Sequence, residues 1–385
     1  MKAIINANVV LENGILWDGI ILTEGEKILS VEKMREAQIP QNAEIIDAGG
    51  AYVGPGFVDI HVHGGNGNST CFDAVKAANY FLKSGTTSLL GTPDYHMKTE
   101  KIVEAIRCIK LGMKESKVIK GIYMEGPYTN PNYGSHSDTN PWHGAVEEKD
   151  YKRFVDEGGK CVKVWTVAPE REDLIPFLEY ARMINPDVKI AIGHSDATPM
   201  DVRRLGSKYR PTILTHAMNA TVRREVPAGT RGYGLDEYCF KEPDMYAELI
   251  SDSCGIHVHS EMQQLLIHCK GINKVVLITD STIHNNVPPE NLSHIPDLNF
   301  DPNGGLAGSK MTMNQACRNI MTHTNCGIAQ AFLMASTNPA KAIGMYDDIG
   351  SIEVGKTADL VFVDDKFNIK NVMLNGEICN FEEEV

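Results

Sequence analysis

The chain has 385 residues, 42% hydrophobic and 23% charged, which is ordinary for a folded protein with a sizeable core; length alone allows one large domain plus a smaller one, or two to three domains. A formal net charge of −13 argues against a nucleic-acid binder that relies on a basic surface, but leaves room for an anionic substrate met by a few local donors. The nine cysteines show neither a CxxC pair nor regular spacing, and there is no signal-like leader and no run of roughly 18 apolar residues. A soluble cytoplasmic protein with reduced thiols and no membrane partner is expected.

The first fifty residues read as short strands joined by turns, at 3–10, 15–22, 27–31 and 44–47, with Glu12-Asn13-Gly14 as a hairpin signal. Near the other end, 360–363 and 372–374 are again short apolar runs. Two all-β pieces at opposite ends are most economically one small β-sandwich domain, residues 1–53 plus 348–385, since chain termini usually lie close together. The main domain, 54–347, is then inserted between them.

Within 54–347 apolar runs alternate with amphipathic stretches, the pattern of βα units around a parallel sheet. Candidate strands are 56–61, 88–91, 121–124, 161–167, 189–192, 212–215, 246–250 and 275–279, while 73–83, 99–114 and 314–324 have the composition of outer helices. Eight such runs predict an α/β chain built on a (β/α)8 TIM-like barrel. In that fold chemistry sits at the carboxyl ends of the strands.

Polar residues with metal-ligand chemistry stand at those ends. The segment PGFVDIHVHG at 55–64 puts His61 and His63 two residues apart, and residues i and i+2 of a strand share a face. Glu125, His194, His216 and Asp280 each end an apolar run of their own. Any one of them also reads as a packing or salt-bridged residue, because a carboxylate at a barrel rim needs a cation or another partner. Six ligand-type residues all at strand ends predict a metal centre for one or two divalent ions. Mixed imidazole and carboxylate donors suit Zn, Fe, Mn or Co, and the residues do not select among them.

These motifs, with EGP at 125–127, GHS at 193–195, THAMNA at 215–220, TDS at 279–281 and GSIEVGKTADL at 350–360, resemble the amidohydrolase superfamily over essentially the whole chain. Within it they most resemble the N-acetylglucosamine-6-phosphate deacetylases. The resemblance implies metal-dependent hydrolysis of an N-acetylhexosamine 6-phosphate to acetate and an amino-sugar 6-phosphate by a homodimer. It makes Glu125, His194 and His216 ligands of one metal, with His61 and His63 belonging to a second that Glu125 bridges. Asp280 becomes the general acid/base, and His136 and His257 substrate-contacting histidines, with His136 assisting carbonyl polarisation. Asn219 and the backbone of Ala220 become phosphate contacts, joined by Arg224 across a dimer interface, although Arg223 beside it is an equal candidate.

Two segments depart from the family pattern: 225–245 is long and polar, and Tyr133 replaces a basic residue before Gly134. They leave the metal chemistry intact and open the choice of substrate, with N-acyl amino acids and cyclic amides as the alternative class. Lys163, in Cys161-Val162-Lys163-Val164, is the nearest candidate for a carboxylated bridging lysine in place of Glu125. The run 306–309 reads either as a pocket loop or as a helix entry capped by Ser309.

Overall fold

The computed structural model describes residues 1–134, 137–221, 229, 232–283 and 286–381. The apolar runs of the central region form eight parallel strands: β1 (Phe57–Val62), β2 (Thr86–Gly91), β3 (Ile119–Met124), β4 (Val162–Val167), β5 (Lys189–Ile192), β6 (Ile213–Leu214), β7 (Tyr246–Ile250) and β8 (Val275–Ile278). Each pairs with the next in sequence order. Strands covered on both faces need apolar side chains on both, and every residue of β1, β2 and β8 is buried. The ring nearly closes between β8 and β1, where just past β8 the N–H of Asp280 donates to the His61 carbonyl at 3.0 Å and the Thr279 hydroxyl to Asp59 at 2.5 Å.

The expected outer helices form at Ala74–Lys83, Thr99–Glu115 and Met313–Thr324, each with an apolar face turned to the barrel core. A second buried cluster joins Ile60, Tyr123, Val164, Ile213 and Val276 of the strands to Ala340, Ile343 and Ile349. Ser309 is not a helix cap. It ends a short strand, Leu306–Ser309, paired with Leu298–Phe300, and its hydroxyl donates to the Thr279 carbonyl at 2.6 Å. The helix is capped three residues later by Thr312, with Gln315 completing the capping box.

The chain ends build a separate, mostly-β domain. Lys2–Leu11, Gly14–Glu24, Lys27–Lys33, Glu44–Asp47 and Tyr52–Pro55 share one mixed eight-stranded sheet with Leu360–Val363, Ile369–Leu374 and Glu377–Ile378. Lys2–Leu11 forks this sheet, pairing first with Glu44–Asp47 and then with Tyr52–Pro55. Leu360–Val363 runs antiparallel to Tyr52–Pro55, so Ile4, Val9 and Ile21 share a core with Leu360, Phe362 and Met373. Phe57, at the amino end of β1, stacks with Phe332 at 5.5 Å and Phe367 at 6.2 Å between ring centroids, which ties this domain to the barrel. Such aromatic pairs add about 0.5–1.5 kcal/mol beyond the area they bury. No helix among the described residues is long and apolar enough to cross a membrane.

Candidate active site

The barrel brings all six ligand-type residues to one mouth. His61 is the penultimate residue of β1 and His63 lies just beyond the strand, while Glu125 follows β3 and His194, His216 and Asp280 stand two residues past β5, β6 and β8. The chain must turn sharply there to aim those side chains inward. His194, His216 and Asp280 have φ of 45°, 26° and 45°, and Met218 and Ala220 follow at 64° and 50°. Non-glycine residues held in this region cost about 1–3 kcal/mol each, and such strain gathers at functional sites. β6 is correspondingly cut to Ile213–Leu214, shorter than the apolar run.

Glu125 is the centre of the cluster. Its Oε1 lies 2.8 Å from His194 Nε2, 3.1 Å from His216 Nε2 and 3.5 Å from His61 Nε2, and its Oε2 lies 3.3 Å from His63 Nε2. Oδ1 of Asp280 lies 3.3 Å from His63 Nε2 and 3.8 Å from His61 Nε2. The far nitrogens fix the tautomers. His216 Nδ1 faces the Asn219 carbonyl at 3.0 Å and His63 Nδ1 the Thr92 carbonyl at 3.1 Å, and carbonyls only accept, so the inward Nε2 atoms offer lone pairs. His61 Nε2 is buried without a hydrogen bond among the described residues.

Two sets of three donor atoms result, Glu125 with His194 and His216, and His61 with His63 and Asp280, each set within 4.8 Å of one another. Converging imidazole and carboxylate donors fit a divalent cation. Electrostatics agree. Burial disfavours a charged His61, yet Glu125 and Glu248 beside it push the ring up to about 10. Burial likewise opposes ionisation of Glu125, but the imidazoles of His61, His194 and His216 hold it well below the usual carboxylate range. His194 is pushed down by burial. The site is anionic and demands positive charge.

The cluster opens into a cavity of about 410 Å³ whose lining also includes Asn219, Ala220, Thr282, Asp301 and Gly305 to Gly308. The turn bearing Asn219 is pinned by Asp236, which accepts from the Met218 N–H at 2.8 Å and the Thr221 hydroxyl at 2.7 Å. His257 stands behind this lining, its Nε2 3.2 Å from the Gly308 carbonyl and its Nδ1 3.0 Å from Asp252. His136, Arg223 and Arg224 lie outside the described residues, as does part of 225–245. Three residues escaped the sequence reading. Asp94 backs His63 at 3.0 Å, Glu248 backs His61 at 3.1 Å, and Glu170 holds the Ser195 hydroxyl at 2.6 Å next to His194. Glu248 had a signal, an acid in the middle of the apolar run Tyr246–Ile250.

The model of the amidohydrolase family matches residues 52–379. The chain belongs to the amidohydrolase family. The N-acetylglucosamine-6-phosphate deacetylase of Bacillus subtilis (strain 168) is 28% identical over 396 residues, covering 98% of this amidohydrolase and 96% of the relative. The N-acetylgalactosamine-6-phosphate deacetylase of Escherichia coli O157:H7 is 27% identical over 388 residues, covering 96% and 97%. The crystal structure of N-acetylglucosamine-6-phosphate deacetylase from Pasteurella multocida superposes with a TM-score of 0.84 at 26% identity, covering 98% of this chain and 99% of that one. In this amidohydrolase Lys163 is the second residue of β4, at the amino end of the strand and outside the cavity lining, while Glu125 holds the central position.

Proposed function

We propose that this amidohydrolase hydrolyses the acetamide of an N-acetylhexosamine 6-phosphate, N-acetylglucosamine 6-phosphate foremost, to acetate and the amino-sugar 6-phosphate. The observation that carries the reading is the meeting of Glu125, His194 and His216 with Asp280 across one cavity mouth, in a chain related along its whole length to sugar-phosphate deacetylases. A divalent ion held by Glu125, His194 and His216 would supply Lewis acidity, which lowers the pKa of water to about 7 and polarises a carbonyl.

The chain's own residues do the rest. Asp280, buried and held in its ionised form against burial by His63 and His61, takes a proton from the attacking water. As the water oxygen bonds to the acetyl carbon and the C–N bond breaks, Asp280 returns that proton to the departing nitrogen. Asn219 and the backbone of Ala220 receive the phosphate with Arg224, His257 orders the loop that faces the sugar, and His136 adds a donor to the carbonyl oxygen. Zinc, iron, manganese or cobalt suits the donor set, and a cytoplasmic homodimer completes the reading.

One observation favours a second class. The described cavity lining includes Asp94 and Asp301 and neither lysine nor arginine, which suits an uncharged cyclic amide. Acetate release from N-acetylglucosamine 6-phosphate, its galactosamine epimer and the unphosphorylated sugar separates the two. The proposal expects the first to turn over at least about tenfold faster than the unphosphorylated sugar, a preference of about 1.4 kcal/mol. Equal turnover removes the phosphate from the assignment, and none on either sugar phosphate overturns it in favour of the second class.

A further inference from the structure

We propose that Tyr95 is the specificity-determining residue for the acyl half of the substrate: its ring is a fixed wall that admits an acetyl group and excludes longer acyl chains. The inference rests on the deacetylase reading above and adds which amides of the same sugar phosphate are hydrolysed.

Tyr95 follows β2 and Asn219 follows β6, and these strands are four apart in the eight-stranded order, so the two residues stand on opposite sides of the barrel mouth. A substrate whose phosphate sits at Asn219 and Ala220 reaches inward with its sugar, and its acyl chain continues beyond the scissile bond toward the β2 side. Apart from the imidazoles, the apolar side chains of the described lining are Tyr95, Ala220, Leu306 and Ala307. Ala220 belongs to the turn that receives the phosphate. Leu306 and Ala307 belong to the strand whose Ser309 N–H donates to the Asp280 carbonyl at 2.8 Å, which places them beside the nitrogen and the sugar that Asp280 releases. Of these side chains Tyr95 alone is left for the acyl group.

The wall is rigid. Tyr95 is buried, and its ring leans on the His194 imidazole with centroids 4.7 Å and planes 45° apart, while His96 meets it edge-on at 5.8 Å. The segment after β3 lies against it through two glycines with positive φ. A Cβ at Gly126 would stand 3.0 Å from the Tyr95 Cβ, and one at Gly134 would collide with the ring and come within 2.9 Å of His194 Nδ1. Backbone therefore packs directly on the tyrosine, and a close-packed ring does not yield to an added methylene as a flexible side chain does. Because the ring touches His194, the wall stands next to the atoms that react. One methylene in an apolar pocket discriminates about 10–200-fold.

The test is steady-state hydrolysis of N-acetyl-, N-propionyl- and N-butyrylglucosamine 6-phosphate, followed as free amine, by the full-length metal-loaded wild type, Y95A and Y95F. The wild type should lose at least about tenfold in kcat/KM with each added methylene, and Y95A should raise the butyryl-to-acetyl ratio at least about tenfold. Y95F keeps the ring and should keep the wild-type ratio. Should Y95A fail to fold, Y95L, with a shorter and more flexible side chain, should shift the ratio in the same direction. A loss in Y95A shared equally by all three amides would mark Tyr95 as structural only and overturn the proposal. Turnover by the wild type that ignores chain length refutes this inference alone, whereas no turnover at any chain length refutes the substrate assignment and this inference with it.

Discussion

Nε2 of His194 and Nε2 of His216 face each other at 3.0 Å, with Glu125 Oε1 within 3.1 Å of both. Nδ1 of His216 faces the Asn219 carbonyl, which only accepts, so the neutral ring offers the lone pair of its Nε2, and a cation between the rings satisfies all three atoms at once. Exhaustive chelation should therefore abolish turnover and lower the melting temperature. An ion present at 1,000 times its Kd stabilises by about 4 kcal/mol, a shift on the order of 5 °C. Calorimetry before and after readdition of the ion reads this directly, and an unchanged melting temperature would count against the centre.

Asp280 is assigned to proton transfer rather than to holding the substrate. Asp280→Asn keeps the volume and removes the base, so kcat should fall about 10²–10⁴-fold while KM moves little. Steady-state kinetics on metal-loaded protein checks this. A loss confined to KM would assign Asp280 to binding instead.

Glu125 and Lys163 were rivals for the bridging position, and they now stand at opposite ends of the barrel strands. Lys163→Ala should leave metal content and turnover near wild type. Glu125→Gln should lose both, since an amide replaces the anionic donor shared by four imidazoles. Parallel metal analysis of the two variants distinguishes them.

Asp252 holds the loop behind the cavity wall. Burial alone would raise its carboxyl, but the His257 ring and the N–H groups of Ile256 and His257 outweigh burial and hold it down at about 2. A folded-state pKa below the unfolded value means stability that is fully present above the unfolded value near 4 and lost as pH falls toward 2. Asp252→Asn should thus cost about 2 kcal/mol in denaturant unfolding, constant from pH 8 to pH 5 and narrowing below pH 4. A cost that grew on acidification would contradict the assignment.

The barrel and its six ligand-type residues were legible because each apolar run stops at a polar residue, and a strand buried on both faces has little other reason to end on a histidine or an acid. The residues behind the ligands were not legible. Glu248 lies 187 positions from His61, and only the order of strands around the ring brings them together. Ser309 had the chemistry of a cap, yet strand pairing with Leu298–Phe300 claimed its backbone and the helix began at Thr312. β6 came out shorter than its apolar run because the turn that aims His216 inward must begin at once.

The most direct measurement of the central claim follows acetate and free amine together, by proton NMR, on N-acetylglucosamine 6-phosphate with chelated and then metal-restored protein. The account predicts no products from the chelated protein and equal amounts of acetate and amine once a divalent ion is restored. Equal turnover by the chelated protein, or none by the restored one, would contradict it.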